Sequence, residues 1–333
     1  MTSIRVKLIA RGNHSHSWQR QILGLGDSVG NCRFIFDRFA DSYDWLVVID
    51  DISRQFNSKA EILSCSDEHT LLITTEPPSI TNYGNAFVSQ FKYVLTSQSE
   101  EYLSHPNRIY SHTGNYWFNG RTIDEILRNK VPTKEKIIST VCSAKSHSNT
   151  IHKKRLEFTR WLMQKLPELD VFGHGVKYIE NKYDALEKYR YHIAVENYIS
   201  KHHWTEKLAD PFLRASVPIY FGCENISDYF PENSYISINI NKKEEALKKI
   251  TETLQDPDDY SNRLNSVLEA QDLIINKYNL LKMIDNFVSL HYNEENKITA
   301  RRLYGRKQMR IFHTKDFFNH IMWKLKKTLW HGN

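Results

Sequence analysis

The stretch from Tyr189 to Phe230 constrains the fold more than any other part of the 333-residue chain. Two apolar runs, Tyr191–Asn197 and Val217–Gly222, predict strands, and a helical run between them begins at Thr205. A strand, a helix and a second strand in succession indicate parallel strands in an open α/β sheet. Ligands of such sheets bind beyond the carboxyl ends of the strands, near the first turns of the helices.

Polar side chains collect at that edge of the predicted sheet. Glu196 and Asn197 end the first strand, and Thr205, Glu206 and Lys207 open the helix. The unpaired N–H groups and positive dipole end of a helix N-terminus favour a phosphate, and Lys207 adds a mobile positive charge. A buried carboxylate requires a partner, so an internal salt bridge of Glu196 is the alternative to a ligand contact.

The same residues carry a resemblance to a known family. Val195-Glu196-Asn197, Thr205-Glu206-Lys207 and Val217-Pro218-Ile219-Tyr220 resemble, in order and spacing, the donor-binding motif of the α-1,3/4-fucosyltransferases, glycosyltransferase family 10. The family has Phe where this chain has Val195, and the resemblance is strong over about residues 136–240. It implies an α/β fold of two Rossmann-like domains facing across a cleft, called GT-B, and inverting transfer of L-fucose from GDP-fucose.

The resemblance also implies roles for single residues in donor binding. Lys207 and Arg155 would contact the donor phosphates, and Glu206 would accept hydrogen bonds from the ribose hydroxyls. The plain alternatives are a solvated lysine, a surface arginine and an acidic residue that complements the helix dipole. His203 aligns with a family tyrosine that lies against the donor, so this contact differs here. The predicted donor-binding set is Arg155, Glu196, Asn197, His203, Thr205, Glu206 and Lys207.

A second motif supplies the candidate general base. Thr74-Thr75-Glu76-Pro77-Pro78-Ser79 follows an apolar run and resembles the family's Phe-Glu-Ser-Pro-Ser, whose Glu is the proposed base. A base must reach the proton of the acceptor hydroxyl. Glu76 ends a predicted strand, where the cleft is expected. The alternative is that Glu76 is only a polar residue at the end of a strand. Asp50 and Asp51 resemble an acidic metal pair, but we interpret them as strand-end or sugar-contacting residues. The family resemblance implies no bound metal and no further cofactor.

Charge and cysteine content narrow the classes of partner and compartment. A net charge of +6 and a pI near 8.9 suit phosphate ligands or an anionic membrane surface without requiring nucleic acid, and we expect no nucleic-acid partner. Four scattered cysteines without a CxxC pair favour a reducing compartment. Arg5 and Lys7 interrupt the first apolar run, which argues against a signal peptide. With the resemblance, this predicts a cytoplasmic, bacterial member of the family.

Alternating apolar strands and helices continue along the chain and predict a parallel sheet in each half. A polar segment at about 118–132, with a capping-box pattern at Thr122–Glu125, places the domain boundary near 130. We therefore predict an acceptor-binding domain (1–130), a nucleotide-sugar-binding domain (131–295) and a tail (296–333). The predicted strands are Ile4–Ala10, Cys32–Phe36, Trp45–Asp50, Thr70–Glu76, Lys92–Ser97, Lys136–Ala144, Asp170–Gly173, Tyr191–Asn197, Val217–Gly222 and Ser234–Ile240. The main predicted helices are about Ile151–Leu166, Lys182–Lys188, Thr205–Ala215, Lys242–Leu254, Tyr260–Lys277 and Leu280–Tyr292.

The tail has its own pattern. From 301 to 333 its only acidic residue is Asp316, and apolar residues interleave with lysines at helical spacing. A basic amphipathic helix of this kind favours attachment to an anionic membrane surface, through residues 301–330. The alternative is a terminal helix that packs on the N-terminal domain. Attachment would place the enzyme at the inner membrane face, with an acceptor in a bacterial glycan or lipopolysaccharide.

Other functions stay open at this point. The same fold could use a different nucleotide sugar, because Val195 and His203 depart from the family pattern. A basic nucleic-acid-binding protein is a second alternative, and a sugar-binding protein without turnover is a third. The nucleic-acid alternative leaves the arrangement of Glu196 with Thr205-Glu206-Lys207 without a purpose. The sugar-binding alternative predicts that the donor binds without turnover and that Glu76→Ala changes nothing.

Overall fold

The computed structural model describes residues 3–10, 15–52, 60–114, 119–142, 151–173, 176–294 and 297–329. The chain divides into two compact units. The first unit contains Met1–Gly114 and Asn279–Asn333, and the second contains Asn115–Tyr278. The chain thus leaves the first unit once and returns to it near its end.

The first unit is built on a mainly parallel sheet. Its strands are β1 (Ile4–Ala10), β2 (Ser28–Val29), β3 (Cys32–Ile35), β4 (Trp45–Ile49), β5 (Ala60–Ile62), β6 (Thr70–Thr74), β7 (Tyr93–Thr96) and β8 (Arg108–Tyr110), with β14 (Arg302–Tyr304) from the end of the chain. In the described residues the sheet order is β2-β3-β1-β4-β6-β7-β8, and only the β2–β3 pair is antiparallel. β5 pairs with β14 in a separate antiparallel ribbon.

The helices of the first unit come from both ends of the chain. They are α1 (Ser15–Gln19), α2 (Asn85–Val88), α8 (Leu280–His291), α9 (Arg306–Phe312) and α10 (Thr314–Leu329).

The second unit is a smaller parallel sheet with helices around it. Its strands are β9 (Lys136–Val141), β10 (Leu169–Phe172), β11 (Tyr189–Val195), β12 (Val217–Phe221) and β13 (Ile236–Ser237), and its helices are α3 (Ile123–Arg128), α4 (His152–Lys165), α5 (Glu206–Leu213), α6 (Lys243–Gln255) and α7 (Asp259–Asn276). The sheet order is β10-β9-β11-β12-β13 over the described residues. The direction of winding therefore reverses between β9 and β11, and the carboxyl edge at such a reversal is where doubly wound sheets bind ligands.

The core of the second unit explains why the central stretch folds as predicted. β11 is flanked on both sides, with Tyr191 opposite Ile138 on β9 and Val217 on β12. Strands of a parallel sheet whose faces are both covered by helices are apolar on both faces, and Ile193 and Val195 are accordingly buried. α5 packs on the sheet through residues of the same core, including Phe212.

Two predicted boundaries differ from the observed units. The segment before residue 130 lies in the second unit, because Ile123 and Ile126 of α3 are buried in the core that also contains Phe158. The helix predicted at Leu280–Tyr292 lies in the first unit. There Asp285 accepts a hydrogen bond from the Asn31 N–H at 2.8 Å, and the ring of Phe287 stands 5.0 Å from that of Tyr93.

Most predicted elements agree with the structure to within two residues, with a few differences. Ser234–Ile240 narrows to β13, and Lys182–Lys188 is a short 3-10 helix at Lys182–Ala185. β5, β8 and β14 were not predicted, since each has three residues and no clear alternation. The last two residues of the strand predicted at Lys136–Ala144 lie outside the described residues.

The predicted capping box at Thr122 is confirmed and gives a test of the fold. The Thr122 hydroxyl accepts from the Glu125 N–H at 3.3 Å, and the Glu125 carboxylate accepts from the Thr122 N–H at 2.8 Å. Thr122→Ala should lower the free energy of unfolding by about 1 kcal/mol, measured by urea denaturation. Thr122→Ser keeps the hydroxyl and should lose much less; an equal loss in both variants would assign the effect to the methyl group.

Candidate functional site

The candidate site of the second unit is a cavity at the reversal point of its sheet. The cavity has a volume of about 230 Å³ and lies where β9 ends at Val141 and β11 ends at Val195. Its lining residues are Val141, Arg155, Lys182, His192, Ile193, Ala194, Val195, Glu206 and Lys207. Three of the predicted donor-binding residues, Arg155, Glu206 and Lys207, therefore share one cavity with Lys182 and His192, which were not predicted.

Glu196 ties the end of β11 to the start of α5. Its side chain is 0% exposed, and its carboxylate accepts from the Thr205 N–H at 2.8 Å and from the Thr205 hydroxyl at 2.8 Å. The Lys207 ammonium stands 3.7 Å away. Burial raises the pKa of Glu196, and Lys207 opposes the rise. The internal pairing that the sequence left as one alternative is thus present.

Thr205 connects this carboxylate to the helix. It is the N-cap of α5, where its hydroxyl accepts from the Lys207 N–H at 3.3 Å. An N-cap fixes the residue at which a helix begins. The contact with Glu196 therefore sets α5 against the sheet, and Glu206 and Lys207 follow at the cavity wall.

Lys207 and Glu206 form an ion pair at the cavity, with the ammonium 3.0 Å from the carboxylate. Burial lowers the pKa of Lys207, but the carboxylates of Glu206 and Glu196 outweigh it and raise that pKa. Burial by itself would raise the pKa of Glu206, but Lys207 and Lys182 lower it to about 2. Both side chains are therefore charged at neutral pH.

Lys182 is a cavity residue that sequence reasoning missed. Its ammonium donates to Asp210 at 2.8 Å and to the Glu206 carbonyl at 3.2 Å, and Asp210 has 0% exposure. A signal was available, because Glu206 and Asp210 are like charges four residues apart on a helix, a destabilising arrangement unless a cation lies nearby. The sequence pattern did not indicate which of the many lysines supplies it.

Arg155 and Asn197 lie close to the ends of the same strands. Arg155 is on α4, and its guanidinium donates to the Val195 carbonyl at 3.4 Å. It lies on the cavity wall. Asn197 follows β11 directly. Among the described residues, no hydrogen-bond partner is found for its buried side-chain oxygen.

His203 does not line the cavity in the described structure. It is buried, its ring meets the ring of Tyr198 edge-on at 5.7 Å, and burial lowers its pKa to about 4. The following residue, Trp204, packs against Phe230 at 5.0 Å and Tyr278 at 5.5 Å. These aromatic contacts turn the loop before α5 toward the core of the second unit.

Gly222 is required where it stands. A Cβ at this position would lie 2.4 Å from Cγ of Glu196 and 2.4 Å from the hydroxyl of Tyr220. Only glycine lets the chain after β12 lie this close to the carboxylate of Glu196.

Glu76, the candidate base, belongs to the first unit. It lies two residues after β6 and is partly exposed. Its N–H donates to the Tyr83 hydroxyl at 3.2 Å, and its carbonyl accepts from the Gln98 side chain at 2.8 Å. The Tyr83 hydroxyl in turn donates to Asp50. The backbone of Glu76 is therefore held from both sides.

The acidic pair after β4 is engaged within the first unit. Asp50, in a left-handed conformation with φ 63°, accepts from the Thr75 N–H at 2.7 Å. Asp51 accepts from the Arg306 N–H at 2.9 Å and pairs with its guanidinium at 3.2 Å. Within the described ranges, no group of three or more His, Cys, Asp or Glu side chains is arranged to hold a metal ion.

Part of the chain that includes this site is similar in sequence to known proteins. Residues 131–265 match a family model described as glycosyltransferase family 10 (fucosyltransferase), C-terminal. The chain is 29% identical over 157 residues to α-(1,3)-fucosyltransferase B of Drosophila melanogaster, covering 42% of this chain and 34% of that protein. It is 31% identical over 129 residues to human 4-galactosyl-N-acetylglucosaminide 3-α-L-fucosyltransferase 9, covering 37% and 34%. The chain thus spans about a third of the length of these relatives.

A solved structure extends the likeness to both units. A crystal structure of α1,3-fucosyltransferase with GDP-fucose aligns with a TM-score of 0.50 and 14% identity, over 88% of this chain and 91% of that one. Two doubly wound α/β units of this kind define the GT-B fold of glycosyltransferases, so the predicted fold class is confirmed. Residues 131–265, within the second unit, are thus similar to glycosyltransferase family 10, the fucosyltransferase family.

The lowered pKa of Glu206 gives a prediction about stability and pH. Its ordinary pKa of 4.5 falls to about 2 in the folded chain, so the ionised form stabilises the fold above pH 4.5 and this stabilisation is lost as the pH falls toward 2. Glu206→Gln should lower the free energy of unfolding by about 3 kcal/mol at pH 7, and the difference from wild type should shrink at pH 4 and again at pH 3.

The measurement is urea denaturation at each pH. Glu245→Gln is the matched control, because Glu245 is exposed on α6; it should stay close to wild type throughout. A Glu206→Gln difference that is the same at pH 7 and pH 3 would contradict the ion pairing described here.

Proposed function

We propose that the chain transfers L-fucose from GDP-fucose to a hydroxyl group of a glycan. One observation carries the proposal. Three cationic side chains, Arg155, Lys182 and Lys207, surround one cavity beside the N-terminus of α5, within the residues that match the family. Such a site suits a diphosphate. At about 230 Å³, the cavity suits the diphosphate portion of a sugar nucleotide more than the whole ligand, since whole-ligand sites exceed about 300 Å³.

The transfer is a single displacement. The acceptor hydroxyl oxygen forms a bond to the anomeric carbon of fucose, and the bond from that carbon to the phosphate oxygen breaks. The electron pair leaves with GDP, and inversion converts a β-linked donor into an α-linked product. Negative charge grows on the diphosphate as it leaves, and Lys207 and Arg155 stabilise that charge. The ionised Glu206 accepts hydrogen bonds from the ribose hydroxyls.

Glu76 takes the proton of the acceptor hydroxyl in this proposal. A carboxylate base must be fixed in position to act within hydrogen-bond reach. The backbone of Glu76 is fixed by Tyr83 and Gln98, and its side chain is partly exposed. Both properties support the role.

A different nucleotide sugar is the second candidate. His203 stands where the family has a tyrosine against the donor, and in this chain its ring is buried away from the cavity lining. Recognition of the base or of the sugar therefore rests on other side chains here. The buried position of His203 does not alter the diphosphate site. It concerns only the base and the sugar that are attached to the diphosphate.

A surface of the tail supports a proposal about location. Asp316 and Trp323 of α10 hydrogen-bond to the backbone of Ala86 and Pro78 elsewhere in the first unit. The exposed apolar side chains of α10 nevertheless include Phe317, Phe318, Ile321, Met322 and Leu325. Among the described residues, no helix is long and apolar enough to cross a membrane. We infer that this apolar face, with the neighbouring lysines, attaches the protein peripherally to an anionic membrane. A cytoplasmic site at the inner face and a bacterial glycan or lipopolysaccharide acceptor are part of this proposal.

Calorimetric titration with GDP and GDP-fucose tests the donor site. Wild type should bind both, and Lys207→Ala should weaken binding roughly 10- to 100-fold, because a charge-assisted hydrogen bond contributes about 1.5–3 kcal/mol. Lys201→Ala is the control, since Lys201 is an exposed lysine on the loop before α5. Glu76→Gln should keep GDP binding and lose transfer.

The outcomes separate the alternatives. If GDP does not bind but UDP, TDP or CMP does, the second candidate replaces fucose transfer. If GDP-fucose binds and Glu76→Gln transfers at the wild-type rate, Glu76 is not the base. If no nucleotide binds, the proposed function is wrong.

Vesicle sedimentation tests the membrane surface. Phe318 is 62% exposed on α10, so Phe318→Asp should release the protein from phosphatidylcholine vesicles containing phosphatidylglycerol without affecting the fold. Leu290→Asp is the matched control, because Leu290 is 80% exposed on a different helix, α8. Wild-type binding that persists in Phe318→Asp, or that is lost equally in Leu290→Asp, would contradict attachment through this face.

A further inference from the structure

The loop that carries Glu76 depends on the far end of the chain. Residues 75–84, here called the Glu76 loop, connect β6 to α2 without a strand or an α-helix. A segment of this kind has no ladder of backbone hydrogen bonds to fix its path, so its conformation depends on side chains packed against it.

Three side chains of the C-terminal helices bind the backbone of this segment or of the helix turn that directly follows it. Arg310 on α9 donates to the Asn82 carbonyl at 2.6 Å. Trp323 on α10 donates through its indole N–H to the Pro78 carbonyl at 3.0 Å. Asp316 on α10 accepts from the N–H of Ala86, in the first turn of α2, at 2.7 Å. Each contact joins residues more than 200 positions apart in sequence.

The fit is close at the end of the loop. Gly84 has a φ of +83°, and a Cβ on it would lie 2.7 Å from Oδ2 of Asp316. Glycine both adopts this conformation without strain and leaves the space that the carboxylate occupies. Asp316 is itself buried, so its charge is placed for this contact and not for solvent.

A fourth contact reaches Tyr83, which holds the start of the loop through Glu76. The Arg306 guanidinium lies 5.1 Å over the ring of Tyr83 and pairs with Asp51. Tyr83 is the residue whose hydroxyl accepts from the Glu76 N–H and donates to Asp50. The C-terminal helices therefore contact the loop near its middle, at its end, and at the tyrosine that holds Glu76.

We infer that Arg310, Asp316 and Trp323 are positioning residues that hold the Glu76 loop in its working conformation. The catalytic part of this inference rests on the proposed function of Glu76 as the base. A displacement of about 1 Å at a reacting group can reduce a rate on the order of 100-fold. Loss of these contacts should therefore slow transfer, although none of the three side chains is assigned a contact with donor or acceptor.

The test uses single substitutions in the full chain. Trp323→Phe removes the indole N–H but keeps an aromatic ring beside His320, which now stacks at 5.5 Å. Arg310→Met removes the guanidinium and keeps most of the side-chain length, and Asp316→Ala removes the acceptor for Ala86. Lys307→Ala is the matched control, because Lys307 is exposed on α9, the helix that carries Arg310.

Two measurements are made on each variant. Amide hydrogen exchange, read by mass spectrometry on peptides covering residues 75–86, should be faster in the three variants and unchanged in Lys307→Ala. Steady-state transfer should show kcat reduced about tenfold in each variant, with KM for the donor within about twofold of wild type because the donor site is untouched. Trp323→Phe keeps the test valid if a larger change prevents folding.

The results distinguish this inference from the proposed function. If wild type transfers fucose and the folded variants show unchanged exchange and unchanged kcat, the positioning role is wrong and the proposed function stands. If exchange is faster but kcat is unchanged, the loop is held by these residues without consequence for transfer, and the catalytic part is wrong. If wild type transfers no fucose, the proposed function is wrong, and faster exchange in the variants would still support the contacts as what holds the loop.

Discussion

Glu196 has no solvent exposure, and the site of the second unit depends on how that buried carboxylate is compensated. An ionised carboxylate taken out of water destabilises the fold unless hydrogen bonds and an opposite charge offset the loss. Thr205 supplies two donors and Lys207 supplies the charge. Because Thr205 is also the N-cap of α5, the compensation of Glu196 and the starting point of the helix are one arrangement. Glu206 and Lys207 reach the cavity for that reason.

The charges around the cavity are already paired before any ligand enters. Carboxylates of Glu196, Glu206 and Asp210 alternate with Lys207 and Lys182. A diphosphate would therefore compete with Glu206 for Lys207, and Lys207 must reorient its ammonium from one anion to the other. Ion pairs of this kind hold the cationic side chains in place. They also reduce the affinity for a diphosphate, because the diphosphate must displace the pair of Lys207 with Glu206.

Local signals explain what could be predicted from the sequence, and distant pairings explain what could not. The start of α5 follows from the capping residue Thr205, and β11 from a mostly apolar run, since both depend on neighbours in the chain. Lys182 comes from a different element and reaches Asp210 only in the folded chain. Likewise, an amphipathic pattern showed that α8 buries one face, but not that it returns to the first unit. His203 was predicted to contact the donor because it aligns with a family tyrosine. In the structure, Trp204 packs into the core, and His203 beside it is buried outside the cavity lining.

The tail shows how a departure from a pattern carries information. The interleaved lysines and apolar residues of 301–330 indicated an amphipathic helix, and they did not decide between a membrane surface and packing on the protein. α10 does pack on the first unit and still exposes apolar side chains such as Phe318. Asp316, the only acidic residue in that stretch, is buried, and it accepts from the N–H of Ala86. The basic residues around Asp316 do not determine which side of the helix its carboxylate faces. Its position is explained by a specific donor, the N–H of Ala86, which follows the end of the Glu76 loop.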